Sequence, residues 1–246
     1  MKSVIIKANG YSLKGRIYGT LKKAEEHPAL LFFSGWNPSN ISWTTSDFYA
    51  WRCSKQFNII CLTAALRGMG SKGDINQLTR FDFLNDVIAV YDFIACHEGV
   101  DKARISIIGE SFGSYLACLL SSKRPIENLI LRVPTDFPGE GFSDIPQIHF
   151  VGIKSKEWKL QKHAPEESPA LEAIHNFRNK IVIIASENDA IVPQQTIENY
   201  LASSSRPEEV KYYLMKNTGH ALSNPWKLLE FNKILLGTIY ENLTES

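Results

Sequence analysis

The segment Gly109-Glu110-Ser111-Phe112-Gly113 sets a serine between two glycines, after the apolar run Ile105-Ser106-Ile107-Ile108 and before Ser114-Tyr115-Leu116-Ala117-Cys118-Leu119-Leu120. A buried strand passing at once into a helix is the setting in which a G-x-S-x-G turn projects a serine hydroxyl. The glycines have a steric reason, because a side chain at either flank of so sharp a turn would strike the neighbouring strand or helix. The same turn puts the backbone N–H of Phe112 at the positive end of the helix, where it can donate to an oxyanion. A random chain of this composition would show the pattern roughly 0.1 times. Gly70-Ser71-Lys72-Gly73 looks similar, but it lacks a glycine two places before the serine and a strong helix after it, and reads as a loop.

A serine hydroxyl is a weak nucleophile until a base takes its proton and a carboxylate orients the base. The histidines are His27, His97, His149, His163, His175 and His220, and of these His220 alone follows the seventh strand-like run. It stands in Asn217-Thr218-Gly219-His220-Ala221, just past Val210–Met215. For the acid, the run Lys180–Ala185 leads into Ser186-Glu187-Asn188-Asp189-Ala190-Ile191-Val192-Pro193. Asp189 is the preferred candidate, with Glu187 and Asp136 as alternatives. Ser111, Asp189 and His220 then follow one another along the chain, each at the end of a strand.

Elements must exist to bring these residues together. Short β-branched runs alternate with helical patterns, which predicts βαβ units and a mostly parallel sheet. Eight strands are expected: Val4–Lys7, Leu13–Tyr18, Ala29–Phe33, Asn58–Leu62, Ile105–Gly109, Asn128–Val133, Lys180–Ala185 and Val210–Met215. Asn9-Gly10 between the first two predicts an antiparallel hairpin. Leu84, Val87, Ile88, Tyr91 and Ile94 mark one helix, a second runs from Ser111 to before Pro125, and a third begins with Asn224 as N-cap and Pro225 at its first position. The stretch from Pro134 to about Glu167 has no clear period and reads as an insertion, cap or lid.

Composition excludes several other classes. The chain has 246 residues, 44% hydrophobic and 22% charged, with formal net charge +1. That length supports a large core without metal or disulfide staples, and the charge gives no pull toward nucleic acid or an anionic membrane. Cys53, Cys61, Cys96 and Cys118 form no CxxC pair, and the first twenty residues carry no signal-peptide hydrophobic region. A cytoplasmic protein with free thiols and no stable membrane association is expected.

With these motifs in family order, the chain resembles the α/β-hydrolase superfamily, in particular its serine-esterase-like members, over essentially its whole length. Asn9-Gly10-Tyr11-Ser12-Leu13-Lys14-Gly15 is similar to the family's opening hairpin, Leu66-Arg67-Gly68-Met69-Gly70-Ser71-Lys72-Gly73 to its Arg-Gly loop, and Ser186–Pro193 to its acid loop. The resemblance implies an eight-stranded mostly parallel sheet with helices on both faces, in a single domain over 1–246 with a small cap at about 134–167. It also implies that the chain after the third strand completes an oxyanion hole. Here Phe33-Ser34-Gly35-Trp36-Asn37 has serine where many relatives have histidine. The backbone N–H of Trp36 is the expected second donor beside Phe112, with Asn37 as the alternative.

The expected chemistry is cleavage of a small or medium carboxylic ester through an acyl-enzyme, with no metal or organic cofactor. A thioesterase or acyltransferase on the same three residues, or a non-catalytic ligand-binding protein on this fold, remains open. Phe137, Phe142, Phe150 and Trp158 in the 134–167 segment either receive an acyl or aryl group or fill the segment's own core. Lys154, Lys156, Lys159, Lys162 and His163 form a local basic cluster, either solvated or facing an anionic group. The sequence leaves the oligomeric state open.

Overall fold

The computed structural model describes all residues except 9, 20–24, 38–40, 152 and 245–246. The chain runs β1 (Lys2–Ala8), β2 (Tyr11–Tyr18), β3 (His27–Phe33), α1 (Ile41–Phe57), β4 (Ile60–Ala65), α2 (Arg80–Ala95), β5 (Val100–Glu110) and α3 (Phe112–Ser121). It continues through β6 (Asn128–Arg132), α4 (Ile153–Lys159), α5 (Pro169–Asn176), β7 (Lys180–Ser186), α6 (Gln194–Ser203), β8 (Val210–Met215) and α7 (Pro225–Ile239). All eight expected strands are present, with ends shifted by a few residues. Of the opening turn, Gly10 has φ +81°, and Asn9 lies outside the described residues.

The strands form one sheet in the order β1-β2-β4-β3-β5-β6-β7-β8. β2 pairs antiparallel with both β1 and β4, and every pair from β4 onward is parallel. Burial explains the difference between centre and edge. β3, β4 and β6 are buried along their whole length, as parallel strands covered on both faces must be, whereas β1 and β8 expose much of their surface.

Successive side chains of a strand point to opposite faces, and the core divides accordingly. Ala29, Leu31, Phe33, Ile181 and Ile183 pack with residues of α2, α3, α5 and α6 in one cluster. Leu30, Phe32, Val182 and Ile184 pack with Tyr49 and Cys53 of α1 and with Phe231, Leu235 and Ile239 of α7 in the other. Both α2 and α7 begin with a side-chain cap, the second of them expected from Asn224-Pro225. Thr79 and Asp82 form a reciprocal capping box at α2, and Asn224 Oδ1 accepts the N–H of Trp226 ahead of α7, with Pro225 at its first position. The helix α1 gave little signal because its outer face is itself apolar: Phe48 and Trp51 are exposed while Tyr49, Ala50 and Cys53 are buried.

The 134–167 segment holds α4 and two short 3-10 turns, Gln147–Phe150 and Pro165–Glu167. It is latched to the start of α2, where the N–H of Gln147 donates to Leu78 O (2.8 Å) and that of Phe81 to Phe142 O (3.1 Å). The fully buried Arg80 donates to the carbonyls of Pro138 and Glu140, its guanidinium 4.1 Å from the Phe150 ring centroid.

Candidate active site

The turn from β5 into α3 is as tight as its glycines imply. A Cβ on Gly109 would lie 2.5 Å from Gly113 O and from Ser114 Cα, and one on Gly113 would lie 2.0 Å from Phe33 O. Neither position admits a side chain. Ser111 between them has φ +53° and ψ −114°, a strained conformation held by its N–H donating to Arg132 O (2.9 Å) and by its own carbonyl accepting from Ser114 and Tyr115 at 3.0 and 3.3 Å.

Three loops at the ends of β5, β7 and β8 converge. His220 Nε2 lies 3.1 Å from Ser111 Oγ, and His220 Nδ1 lies 2.8 Å from Asp189 Oδ2. With Nδ1 protonated toward the carboxylate, Nε2 is left as an acceptor facing the hydroxyl. Asp189 Oδ1 accepts the backbone N–H groups of Ile191 and Val192, both at 2.8 Å. Burial works against the Asp189 charge, but the His220 hydrogen bond and charge and these two N–H donors outweigh it, so its pKa falls below the ordinary value.

The alternative acids are occupied elsewhere. Glu187 binds Lys216 (2.9 Å) and the N–H of Asn217 (2.8 Å). Asp136, wholly buried, accepts from Trp158 Nε1 at 2.9 Å and from Ser168 Oγ. Burial raises its pKa in spite of these bonds. The Ser71 hydroxyl closes its own loop, donating to Ala65 O (2.7 Å) and accepting from the N–H of Lys14 (2.9 Å).

Of the expected oxyanion donors, Phe112 is the first residue of α3, and a first-turn N–H has no intrahelical acceptor. Trp36 follows Gly35, where a Cβ would lie 3.3 Å from Ser111 Cβ, so the chain after β3 passes directly beside the serine. The Trp36 ring packs edge-on against Phe83 and Phe112, at 5.7 and 5.5 Å between centroids. Ser34 has its hydroxyl 2.9 Å from that of Ser46 in α1.

One residue at the site escaped the sequence reading. Arg132 ends β6 and is 1% exposed. Its guanidinium donates to Glu110, the residue before Ser111, and at 2.7 Å to the backbone carbonyl of His220. It thus ties the serine turn to the histidine loop. An arginine closing the apolar run Leu129-Ile130-Leu131 was the available signal, since a charge buried at a strand end needs partners.

Ser111 and His220 open into a cavity of about 880 Å³, lined by the chain after β3, by α1, by the His220 loop and by α7. No described residue of 134–167 is in its lining. Phe137 packs against Phe112, Tyr115 and Phe150, Trp158 stacks on His163, and Arg80 lies over Phe142, so these aromatics fill their own region. Lys156 and Lys162 are exposed, but Lys159 is buried with its amine 5.4 Å from the Phe137 ring centroid, so the basic cluster is not one solvated face. Among the described residues no three His, Cys, Asp or Glu side chains gather as a metal site would require.

The strand order and the helices on both faces are those of the α/β-hydrolase fold. The sequence matches no protein-family model and no curated protein. Among solved structures, an α/β serine hydrolase homologue from Coxiella burnetii aligns at TM-score 0.66 and 18% identity, over 97% of this chain and 97% of that one. XC6422 from Xanthomonas campestris, an α/β serine hydrolase without lid, aligns at TM-score 0.69 and 15% identity, over 100% of this chain and 96% of that one. A putative dipeptidyl aminopeptidase IV from Bacteroides ovatus aligns at TM-score 0.73 and 15% identity, covering 98% of this chain and 36% of that one. No described helix is long and apolar enough to cross a membrane.

Proposed function

We propose that this protein is a serine hydrolase that cleaves a carboxylic ester carrying a small or medium acyl or aryl group. The observation that carries the reading is the unbroken hydrogen-bond chain from Asp189 through His220 to Ser111, opening into the cavity. As Ser111 Oγ attacks the ester carbonyl, its proton passes to His220 Nε2, and Asp189 stabilises the imidazolium. The carbonyl oxygen takes the electron pair and is met by the N–H groups of Phe112 and Trp36. The alcohol leaves with the proton from Nε2. Water, deprotonated by the same nitrogen, attacks the acyl carbon, and Ser111 Oγ departs and recovers its proton as the acid is released.

No metal or cofactor enters these steps. The segment 134–167 is in this reading a small insertion of a single hydrolase domain, packed beside the cavity. Four unbridged cysteines, three of them buried, fit a cytoplasmic setting. Folded protein treated with a fluorophosphonate is expected to carry the label on Ser111, and p-nitrophenyl ester turnover is expected to fall about 10⁴–10⁶-fold in Ser111→Ala. Unlabelled, folded protein without esterase turnover overturns the reading.

A further inference from the structure

The two helices that wall the cavity leave large apolar side chains in solvent. On α1, Phe48 and Trp51 are each 50% exposed, and on α7, Trp226 and Leu229 are 76% and 55% exposed. Each helix adds an exposed lysine one turn further on, Lys55 and Lys233. Phe48, Trp51 and Lys55 stand at i, i+3 and i+7, and so do Trp226, Leu229 and Lys233, which puts each set along one face of its helix. The helices pack together through Tyr49 and Phe231, ring centroids 5.2 Å apart. Phe48 and Leu229 also line the cavity that holds Ser111, so the exposed face and the cavity share an edge.

The unpaired charges of this face have one sign. Lys55, Lys233 and the partly exposed Arg52 form no ion pair with a described residue. The acids of the same two helices are taken, Asp47 by Arg16 and Glu230 by Lys227 at 2.7 Å. With a net charge of only +1 the whole chain has no general pull on an anionic partner, so this local surplus decides which side turns toward one. A second copy of the chain, seated on the same face across a two-fold axis, would bring like charges together. A docked protein would also close the mouth of the cavity. A lipid surface would not, because its own molecules are small enough to enter. Tryptophans beside lysines are the side chains that suit the boundary between acyl chains and headgroups, the rings at the apolar side and the ammonium groups at the phosphates.

We infer that this face of α1 and α7 docks reversibly on an anionic lipid surface, with its four apolar side chains at the acyl-chain boundary and Lys55 and Lys233 on the headgroups. Each basic residue at such a surface strengthens binding about fivefold. Docking stands on these residues alone. Delivery of substrate rests in addition on the serine hydrolase reading and deepens it: an ester carried in the lipid passes between Phe48 and Leu229 toward Ser111 without crossing bulk water.

The test floats Ser111→Ala protein with vesicles of phosphatidylcholine alone and with vesicles that contain about 30% phosphatidylserine. The protein is expected to bind the anionic vesicles about tenfold or more tighter than the neutral ones. Lys55→Glu with Lys233→Glu, and separately Trp51→Ser with Trp226→Ser, are each expected to weaken that binding about tenfold or more. All four positions are exposed and lie outside the cavity lining. With Ser111 intact, both pairs are therefore expected to turn over water-soluble p-nitrophenyl acetate within about twofold of wild type, and to lose turnover of p-nitrophenyl octanoate carried in anionic vesicles. Absence of binding to either vesicle, equal binding to both, or binding that survives either pair of substitutions overturns the docking surface. So does a dimer in sedimentation equilibrium that Trp51→Ser with Trp226→Ser dissolves, since the face then belongs to a second copy. Vesicle binding that the substitutions weaken, with no turnover of either ester, leaves the surface standing and overturns the hydrolase reading, so the two failures are distinguishable.

Discussion

Asp136 and Asp189 follow neighbouring parallel strands at the same end of one sheet, yet they live under opposite physical conditions. Asp189 is held by an imidazole and two backbone N–H groups, which favour its charge against the cost of burial. Asp136 is bound by Trp158 and Ser168, and burial dominates, so its protonated form gains instead. One carboxylate is arranged to stay ionised beside the His220 imidazole, and the other to pin α4 and the start of α5 to the end of β6. Position at a strand end does not assign a role. The groups that neighbouring loops bring to the oxygens do.

Exchanging the acids' chemistry breaks or sharpens this contrast. Asp189→Asn presents an amide to His220 and favours the wrong tautomer, so kcat is expected to fall about 10⁴-fold with little loss of fold. An equal loss of turnover in Asp136→Ala would end the distinction between the two sites. The expected result for Asp136→Ala is a kcat within about threefold of wild type and an unfolding free energy lower by about 1–3 kcal/mol in urea titration, because Trp158 and Ser168 are left as buried unpaired donors.

Arg132 tests how far the Asp189 side depends on its surroundings. Replacing it by methionine removes the bonds to Glu110 and to the His220 carbonyl, and kcat is expected to drop about 10- to 100-fold with a smaller change in KM. Arg132→Lys, which keeps a donor, is expected to recover part of the loss. An unchanged kcat in Arg132→Met would show that the histidine loop is held by other contacts.

The smallest effect is in the pH dependence of stability, where the two acids have opposite signs. The stabilisation tied to the lowered pKa of Asp189 is complete above the unfolded value near pH 4 and is lost as pH falls through the folded value. For Asp136, with a raised pKa, stability is fullest below that unfolded value and declines as pH rises through the folded one. Between pH 3 and 7 the Tm of Asp136→Asn is expected to gain on wild type as pH rises, and that of Asp189→Asn to lose ground. Parallel difference curves would contradict the opposite environments.

The elements that were legible before the structure are those whose cause is local. The eight strands show as short apolar runs because central parallel strands are buried on both faces, and the Ser111 turn shows because only glycine fits at 109 and 113. α1 was not legible, since its exposed Phe48 and Trp51 blur the stripe by which a surface helix is recognised. The cavity was not legible either. The aromatics of 134–167 pack among themselves and their neighbours, while α1 and α7 supply much of the lining, and how each helix rolls on the sheet decides which of its residues do so.

By itself, the sequence determined which residues could do chemistry and the strand ends that carry them, because turn sterics and apolar runs act over a few residues. Only the tertiary structure decided which acid reaches His220, why Arg132 is buried with charge, and where a substrate has room. Those depend on contacts between segments up to 109 residues apart, as Ser111 and His220 are, and no local pattern encodes which loop end will meet which.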